Sequence, residues 1–540
     1  MVVAFFLKFV ELNETDMELL LTLFLPLIGA LLLLFVNRNN IKTFKYFSLA
    51  VSLLTFLVSL LLLIKFDFAN PEFQFLTEAV WIEKFDLGFR VGIDGISILL
   101  VLLTTFISPI TILSSFSAIE KREKEYYVLL LFLQFAMTGV FVALDLFLFY
   151  IFWELVLIPM YFIIGLWGGK NRIYASVKFF IYTVVGSLFM LVAIVWLGLY
   201  VGGNILKMPS GFTSNFILIR QILSQNVIPF EIERWLFLAF ALSFCIKVPL
   251  FPLHTWLPDA HTEAPTPGSV ILAGILLKLG TYGLIRFNIE LFTNSAIYYA
   301  PYISVLAVIG IVYGALVSAV QTDVKRLVAF SSVSHLGFVV LGIFSITVEG
   351  MQGALIQMVN HGLSTGMLFL AVGILYERRH TREIAEYGGI ARVMPAFTVF
   401  FGVAMLASVG LPGLNGFVGE FLSLLGAFKS PVLNSYWYTI IGATGVIFAA
   451  VYLLTMFQKV VFGPLTNPAN HTLKDINRRE WAYLVPIVIM MVWIGVYPKF
   501  FLNYSEPTVK NVVNRVYQQK FPTQTNIDVL KISTKIGEKK

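Results

Sequence analysis

Apolar runs of about twenty residues recur from one end of this 540-residue sequence to the other, and that length is what a helix needs to cross the hydrocarbon of a bilayer. They fall near 18–36, 44–65, 96–116, 127–144, 146–167, 177–201, 234–252, 266–287, 303–320, 327–346, 353–376, 396–428, 437–463 and 482–497, roughly fourteen in all. Segments this long and continuously apolar satisfy their backbone groups internally only as helices, and the period-two alternation of a barrel strand is missing. The expectation is an all-α polytopic membrane protein with about fourteen transmembrane helices. A composition of 58% hydrophobic and 13% charged residues excludes a soluble globule. No linker rich in Pro, Gly or Ser divides the chain, so its membrane part reads as one unit.

Lys and Arg concentrate in alternate loops: Arg38, Lys42 and Lys45; Lys121, Arg122 and Lys124; Lys170 and Arg172; Lys325 and Arg326; Arg378, Arg379, Arg382 and Arg392; Lys474, Arg478 and Arg479. The positive-inside rule puts these in the cytoplasm and both termini outside it. The tail after Tyr497 runs against that rule, because Lys510, Arg515, Lys520, Lys531 and Lys535 then lie on the outer side. The opening MVVAFFLKFVELNETDMELL is acidic where a cleavage site would stand, so the first span is expected to be retained. The net charge of +7 suits loops facing anionic lipid, and no nucleic acid partner is expected. The single Cys245 excludes an internal disulfide and an iron–sulfur cluster held by this chain.

Charged groups near a bilayer centre cost at least about 2.5–3.5 kcal/mol each, so each needs a partner, water or a task. Glu154 in LFYIFWELVLIPMY, Lys247 in SFCIKVPLFPLH and Lys278 in ILLKLGTYG sit roughly nine, thirteen and twelve residues into their spans, at one depth. Desolvation disfavours an ammonium, and a carboxylate about 4 Å away returns roughly 4 kcal/mol at an effective dielectric of about 20. Opening or closing a Glu154–Lys247 pair would therefore load or eject a proton. Pro249 and Pro252 break the helix beside Lys247 and supply a hinge. One such charge alone is as often a fixed helix-to-helix pair; three at one depth favour function. Lys178 and Lys459 lie near cytoplasmic span ends, where snorkelling accounts for them.

His335 in SSVSHLGF and His361 in MVNHGLSTGMLF each sit about eight residues into a span, beside Ser334 and Asn360. A neutral imidazole carries a donor and an acceptor on opposite sides of one ring, which suits a relay, although a structural histidine is the plainer alternative. Glu420 adds an acid in the second interrupted segment, LASVGLPGLNGFVGEF. His254, Asp259 and His261 in LHTWLPDAHTEAP match no familiar metal spacing, and their prolines and Trp256 suit a cytoplasmic loop. Asp145, Lys325 and Arg326 read as charges at span edges, and Asp94 as an acid at a helix start. The glycines of GLPGLNGFVG lack the strand and the terminal Lys-Ser/Thr of a phosphate loop. Setting Gly186-Ser-Leu-Phe-Met-Leu-Val-Ala-Ile beside Gly366-Met-Leu-Phe-Leu-Ala-Val-Gly-Ile gives a faint repeat at an offset of about 180 residues, which also brings the two interrupted segments into register.

Through VGIDGISILLVLL, DLFLFYIFWELVLIPMYFIIGLWGG, IKVPLFPLHTWLPDAHTEAPTPGSVILAGILLKLGTYGLIRF, TDVKRLVAFSSVSHLGFV, VNHGLSTGMLFL and LPGLNGFVGEF, the chain resembles the antiporter-like membrane subunits of proton-pumping NADH:quinone oxidoreductase, respiratory complex I. Glu420 stands where subunits L and N and the related antiporters carry lysine, which favours the branch of subunit M, or chain 4. The resemblance implies fourteen helices with two inverted five-helix repeats and broken helices 7 and 12. It divides the chain into 1–126 (helices 1–3), 127–290 (first repeat, helices 4–8), 291–465 (second repeat, helices 9–13) and 466–540 (last helix and basic tail). It implies a proton route through Glu154, Lys247, Lys278, His335, His361 and Glu420, in a non-redox subunit of a translocase. No cofactor is then bound by this chain: NADH, FMN, iron–sulfur clusters and quinone belong to other subunits. The implied partners are subunits L and N, the small membrane subunits and the lipid bilayer, and the implied location is the inner (plasma) membrane of a bacterium. A subunit of a multi-subunit sodium/proton antiporter is the alternative, and an inert scaffold whose charges only fix packing is a third.

Overall fold

The structure, a computed structural model, describes residues 17–225 and 228–520; Lys531, Lys535 and the opening sixteen residues lie outside the described residues. Its helices in chain order are α1 (Met17–Phe35), α2 (Ile41–Lys65), α3 (Ile98–Ala118), α4 (Glu123–Val142), α5 (Leu146–Leu155), α6 (Leu157–Trp167), α7 (Arg172–Leu199), α8 (Phe216–Leu223), α9 (Phe230–Lys247) and α10 (Trp256–Glu263). They continue with α11 (Thr266–Ile289), α12 (Thr293–Ala319), α13 (Val324–Phe344), α14 (Val348–Arg379), α15 (Pro395–Val409), α16 (Asn415–Lys429), α17 (Trp437–Val461), α18 (Arg478–Val496) and α19 (Lys499–Lys520).

Among the described residues, 12 helices are long and apolar enough to cross a membrane, with α5 and α6 together making one of them. The other two of the fourteen expected runs are the interrupted ones. The seventh is α9 followed, after a turn at 248–255, by α10; the twelfth is α15 followed, after Gly410 to Leu414, by α16. Pro249 and Pro252 in the first turn and Pro412 in the second lack the N–H that a continuous helix needs, and Gly410 and Gly413 bend the second further.

Burial sorts the helices. The apolar windows of α11, α13 and α14 are 100% buried, whereas that of α2 is 28% buried and that of α18 33%. Peripheral helices show lipid their Leu, Ile, Val and Phe, as at Leu57, Phe189, Val192 and Ile447. Three helices with no lipid-facing side thus form the centre, and they carry Lys278, His335 and His361.

Two features lie outside the expected set of spans. Gln74–Ile82 (β1) and Leu87–Ile93 (β2) form an antiparallel hairpin with Thr77 opposite Val91 and Ala79 opposite Phe89. Arg90 bolts it to the bundle: its guanidinium donates to Glu78 (2.5 Å), Asp86 (2.7 Å) and Asp145 (2.8 Å). Asp145, read above as an edge charge, is 1% exposed and caps α5 by accepting from the Phe147 and Leu148 N–H groups. The second feature is α19, an amphipathic helix packed on α14, α12 and α3 beside the residues that flank the hairpin. Its Arg515 and Asn511 reach Glu72 at 2.6 and 3.0 Å, and its Thr508 hydroxyl accepts from Gly95 N–H. Gly95 allows that approach, since a Cβ there would lie 2.3 Å from Tyr504 O. The described part of the tail therefore lies opposite the basic loops, and Glu72 answers one of its charges.

Removing Arg90 leaves the buried Asp145 carboxylate without its cation, so Arg90→Ala is expected to cost about 3–5 kcal/mol; thermal unfolding of the detergent-purified protein reads this, and an unchanged midpoint would show the bolt dispensable. Burial works to raise the pKa of Glu72, but Arg220 and Arg515 outweigh it and hold the carboxyl below the usual range. With the folded value depressed, its stabilisation is complete above the ordinary Glu value and is lost as pH falls through the lower folded one. A spin label on K510C is expected to stay immobile at neutral and weakly acidic pH and to loosen only below the ordinary carboxylate range; release near pH 6 would contradict this.

Candidate functional site

Lys278 lies on α11 between two π-helical turns, Leu272–Leu276 and Leu284–Ile289. A π turn widens the helix and leaves a carbonyl free for another donor. The Lys278 ammonium donates to that of Ala273, and its Nζ stands 2.8 Å from His361 Nδ1 on α14. The His361 ring centroid is 6.0 Å from that of His335 on α13, and His335 Nδ1 is 2.7 Å from Glu420 Oε1 on α16. Lys278, His361, His335 and Glu420 are all at most 4% exposed. Four helices thus place four ionisable groups in one buried row.

Amides and a phenol flank the far end of this row. Gln357 Nε2 donates to Glu420 Oε1 at 3.1 Å, Asn360 Nδ2 donates to Asn415 O at 2.6 Å, and the Tyr452 hydroxyl is 3.4 Å from His335 Nε2. Ser334, read above as a companion of His335, instead donates to Ile311 O on α12. Gln357 precedes His361 by four residues and so shares its helix face, a signal present in QMVNHG; Tyr452 in an apolar helix carries none. Gly419 lets α16 press on α14, because a Cβ there would sit 2.3 Å from Gln357 Oε1 and 2.8 Å from its Cα.

The nearer half of the expected set is arranged differently. Lys247 ends α9, buried, with no hydrogen-bond partner for Nζ, and lies over the rings of Trp153 (5.0 Å) and Phe179 (5.7 Å). Glu154 stands at the joint between α5 and α6, half-buried, with Oε1 lacking a partner. No Glu154–Lys247 ion pair forms. The ammonium is held by aromatic faces next to the carboxylate's helix, since Trp153 is its neighbour in sequence.

The segment expected as a cytoplasmic loop is the buried helix α10. Trp256 is 0% exposed and donates to Ile246 O, which staples the two halves of the broken helix. His254, Asp259 and His261 do not converge: His254 packs on Phe251 and Tyr313, Asp259 accepts from Lys178 at 2.7 Å, and His261 stacks on Phe369 with both ring nitrogens unpartnered. Lys325, read as an edge charge, is also buried and donates to Ala264 O. Lys459 is exposed at its span end.

Fold and site together define a polytopic helical membrane protein with a buried row of ionisable groups, the class to which ion translocators belong. Residues 143–451 match the family described as NADH:quinone oxidoreductase/Mrp antiporter, TM, and residues 20–140 match NADH-ubiquinone oxidoreductase chain 4, amino terminus. NADH-quinone oxidoreductase subunit M of Rickettsia bellii is 44% identical over 503 residues, covering 92% of this chain and 98% of its own. The chain belongs to the NADH:quinone oxidoreductase/Mrp antiporter family, in its subunit M (chain 4) branch. A chain of respiratory complex I from Thermus thermophilus superposes with a TM-score of 0.81 at 32% identity, covering 92% of this chain and 99% of that one. A chain of the Mrp complex from a Dietzia species shares the fold, with a TM-score of 0.78 at 18% identity over 93% and 99% of the two chains.

Gly419→Ala removes no ionisable group yet forces Gln357 away from Glu420. Misplacing a relay by about 1 Å costs up to about 100-fold in rate, so donor-driven acidification by membrane vesicles is expected to slow about tenfold or more at matched protein content. Parental rates would show that the close approach is not needed.

Proposed function

We propose that this chain is the proton-translocating M subunit of NADH:quinone oxidoreductase in the inner membrane of a bacterium. It holds no redox centre itself and works beside the antiporter-like subunits L and N and the small membrane subunits. NADH, FMN, iron–sulfur clusters and quinone act elsewhere in that assembly. The observation that carries the reading is the buried row Lys278–His361–His335–Glu420.

Its chemistry follows from the contacts. A charged Lys278 donates to His361 Nδ1, which leaves the proton of the neutral ring on Nε2. That nitrogen has no protein acceptor, so its proton is offered toward the gap facing His335. The gap is wide enough for a bridging water. A proton arriving at His335 Nε2 releases the one on Nδ1 to Glu420, 2.7 Å away. Protons drawn from the cytoplasmic side load Lys278 and leave outward near Glu420. Glu154 and Lys247 act as the control point: closing that pair holds a proton on Lys247, and opening it, the arrangement seen here, leaves the ammonium on aromatic faces alone. The two five-helix halves, 127–290 and 291–465, place the interrupted α9–α10 and α15–α16 in corresponding positions.

Lys247→Ala and Glu154→Ala, at matched levels of assembled complex, are expected to lower NADH oxidation and acidification together. Normal pumping in either variant would sink the mechanism. Full activity in Lys247→Met would support a scaffold whose charges only fix packing, and loss of sodium-driven proton exchange with redox pumping intact would support the antiporter.

A further inference from the structure

Beyond Lys278, α11 continues toward the outer face with a second buried cation that the relay does not use. Arg286 follows Lys278 by eight residues, about 12 Å along the helix, and is 1% exposed. Its Nη2 donates to Asp94 at 2.6 Å, its Nη1 to Glu290 at 2.8 Å and its Nε to the Tyr282 hydroxyl at 3.3 Å. The ion pairs run on from Glu290 to Arg220 (3.1 Å), Glu72 (3.0 Å) and Arg515 (2.6 Å).

The groups on either side of Arg286 are what a leak would need. Toward the centre, the Thr281 and Tyr282 hydroxyls follow Lys278 on the same helix; Thr281 donates to Lys278 O and Tyr282 to Phe141 O. Toward the outside, a cavity of about 690 Å³ lined by Glu290, Thr293, Arg220 and Glu72 opens at the exposed Gln221 and Gln225. Polar groups thus lie on both sides of Arg286 between the outer surface and Lys278, and the guanidinium stands between them. A guanidinium donates from all its N–H groups, accepts from none and does not release a proton, so no proton can hop through it. Its two carboxylates fix it across the path.

We propose that Arg286 is a proton barrier that closes the outer end of α11, so that a proton on Lys278 leaves only sideways through His361. This rests on the reading of Lys278 as a proton site. Histidine at this position both accepts and donates, so Arg286→His opens the path, whereas Asp94→Asn removes one ion pair and leaves the guanidinium held by Glu290 and Tyr282.

The test is the decay of an imposed pH gradient, without electron donor, in liposomes holding the purified complex. Arg286→His is expected to discharge the gradient at least threefold faster than the parent, and with NADH present to acidify less per electron while oxidation continues. Asp94→Asn is expected to hold the gradient like the parent. If Arg286→His reduces the yield of complex, Arg286→Gln, whose smaller amide admits water, is expected to leak as well. Gradients held equally by parent, Arg286→His and Arg286→Gln would overturn the barrier, as would equal loss in Arg286→His and Asp94→Asn, the mark of a purely structural ion pair. Parent liposomes that hold a gradient but never acidify with NADH would refute the pumping role instead, and the passive comparison would still decide the barrier.

Discussion

The cost of carrying charge into hydrocarbon shapes this molecule more than any other term. An unpaired charge at the bilayer centre costs several kcal/mol, and the chain meets that cost in two ways. At the outer face two buried cations are saturated: Arg90 holds three carboxylates and Arg286 two, and these knots fix the hairpin, α5, α3 and α11 to one another. Along the central row the polar atoms are left short of partners. His361 Nε2, Asn360 Oδ1 and Asn415 Oδ1 are buried without one. Saturated groups stay where they are, and under-satisfied groups leave room for a proton to move.

Placement on the innermost helices makes such under-satisfaction tolerable. The apolar windows of α11, α13 and α14 are buried throughout, so neighbouring helices rather than lipid surround Lys278, His335 and His361. Glu420 reaches the same row from the second half of an interrupted helix. The interruption at Gly410 to Leu414 sets α16 apart from α15, and Gly419 allows it to close on Gln357.

How much of this could be read in the chain differs by element. Lys278, His335, His361 and Glu420 stood out because each is a polar group inside a long apolar run, and insertion cost acts on single residues. Their contacts could not be read: Lys278 and His361 are 83 residues apart, and helix periodicity says nothing about which helices adjoin. The hairpin was hidden because QFLTEAVWI is only half alternating and carries bulges. α10 reads as a loop because Pro258, the flanking Pro252 and Pro265, and Trp256 resemble an interface, yet Trp256 turns inward to staple the broken helix. The tail reads as misplaced by its lysines and arginines alone; α19 is amphipathic and rests against Glu72, which lies far away in sequence.

The contact between Arg515 and Glu72 joins residues 443 apart in sequence. A chain inserted from its N-terminus has placed α1 to α18 in the membrane before α19 leaves the ribosome, so the Glu72 oxygen that Arg220 does not take, and the backbone at Gly95, wait uncovered through nearly all of synthesis. The outer face is closed last, at a point beside where the bundle began. A truncated product that stops after α18 would contain every residue of the central row and still lack the piece that fastens the two ends of the molecule together.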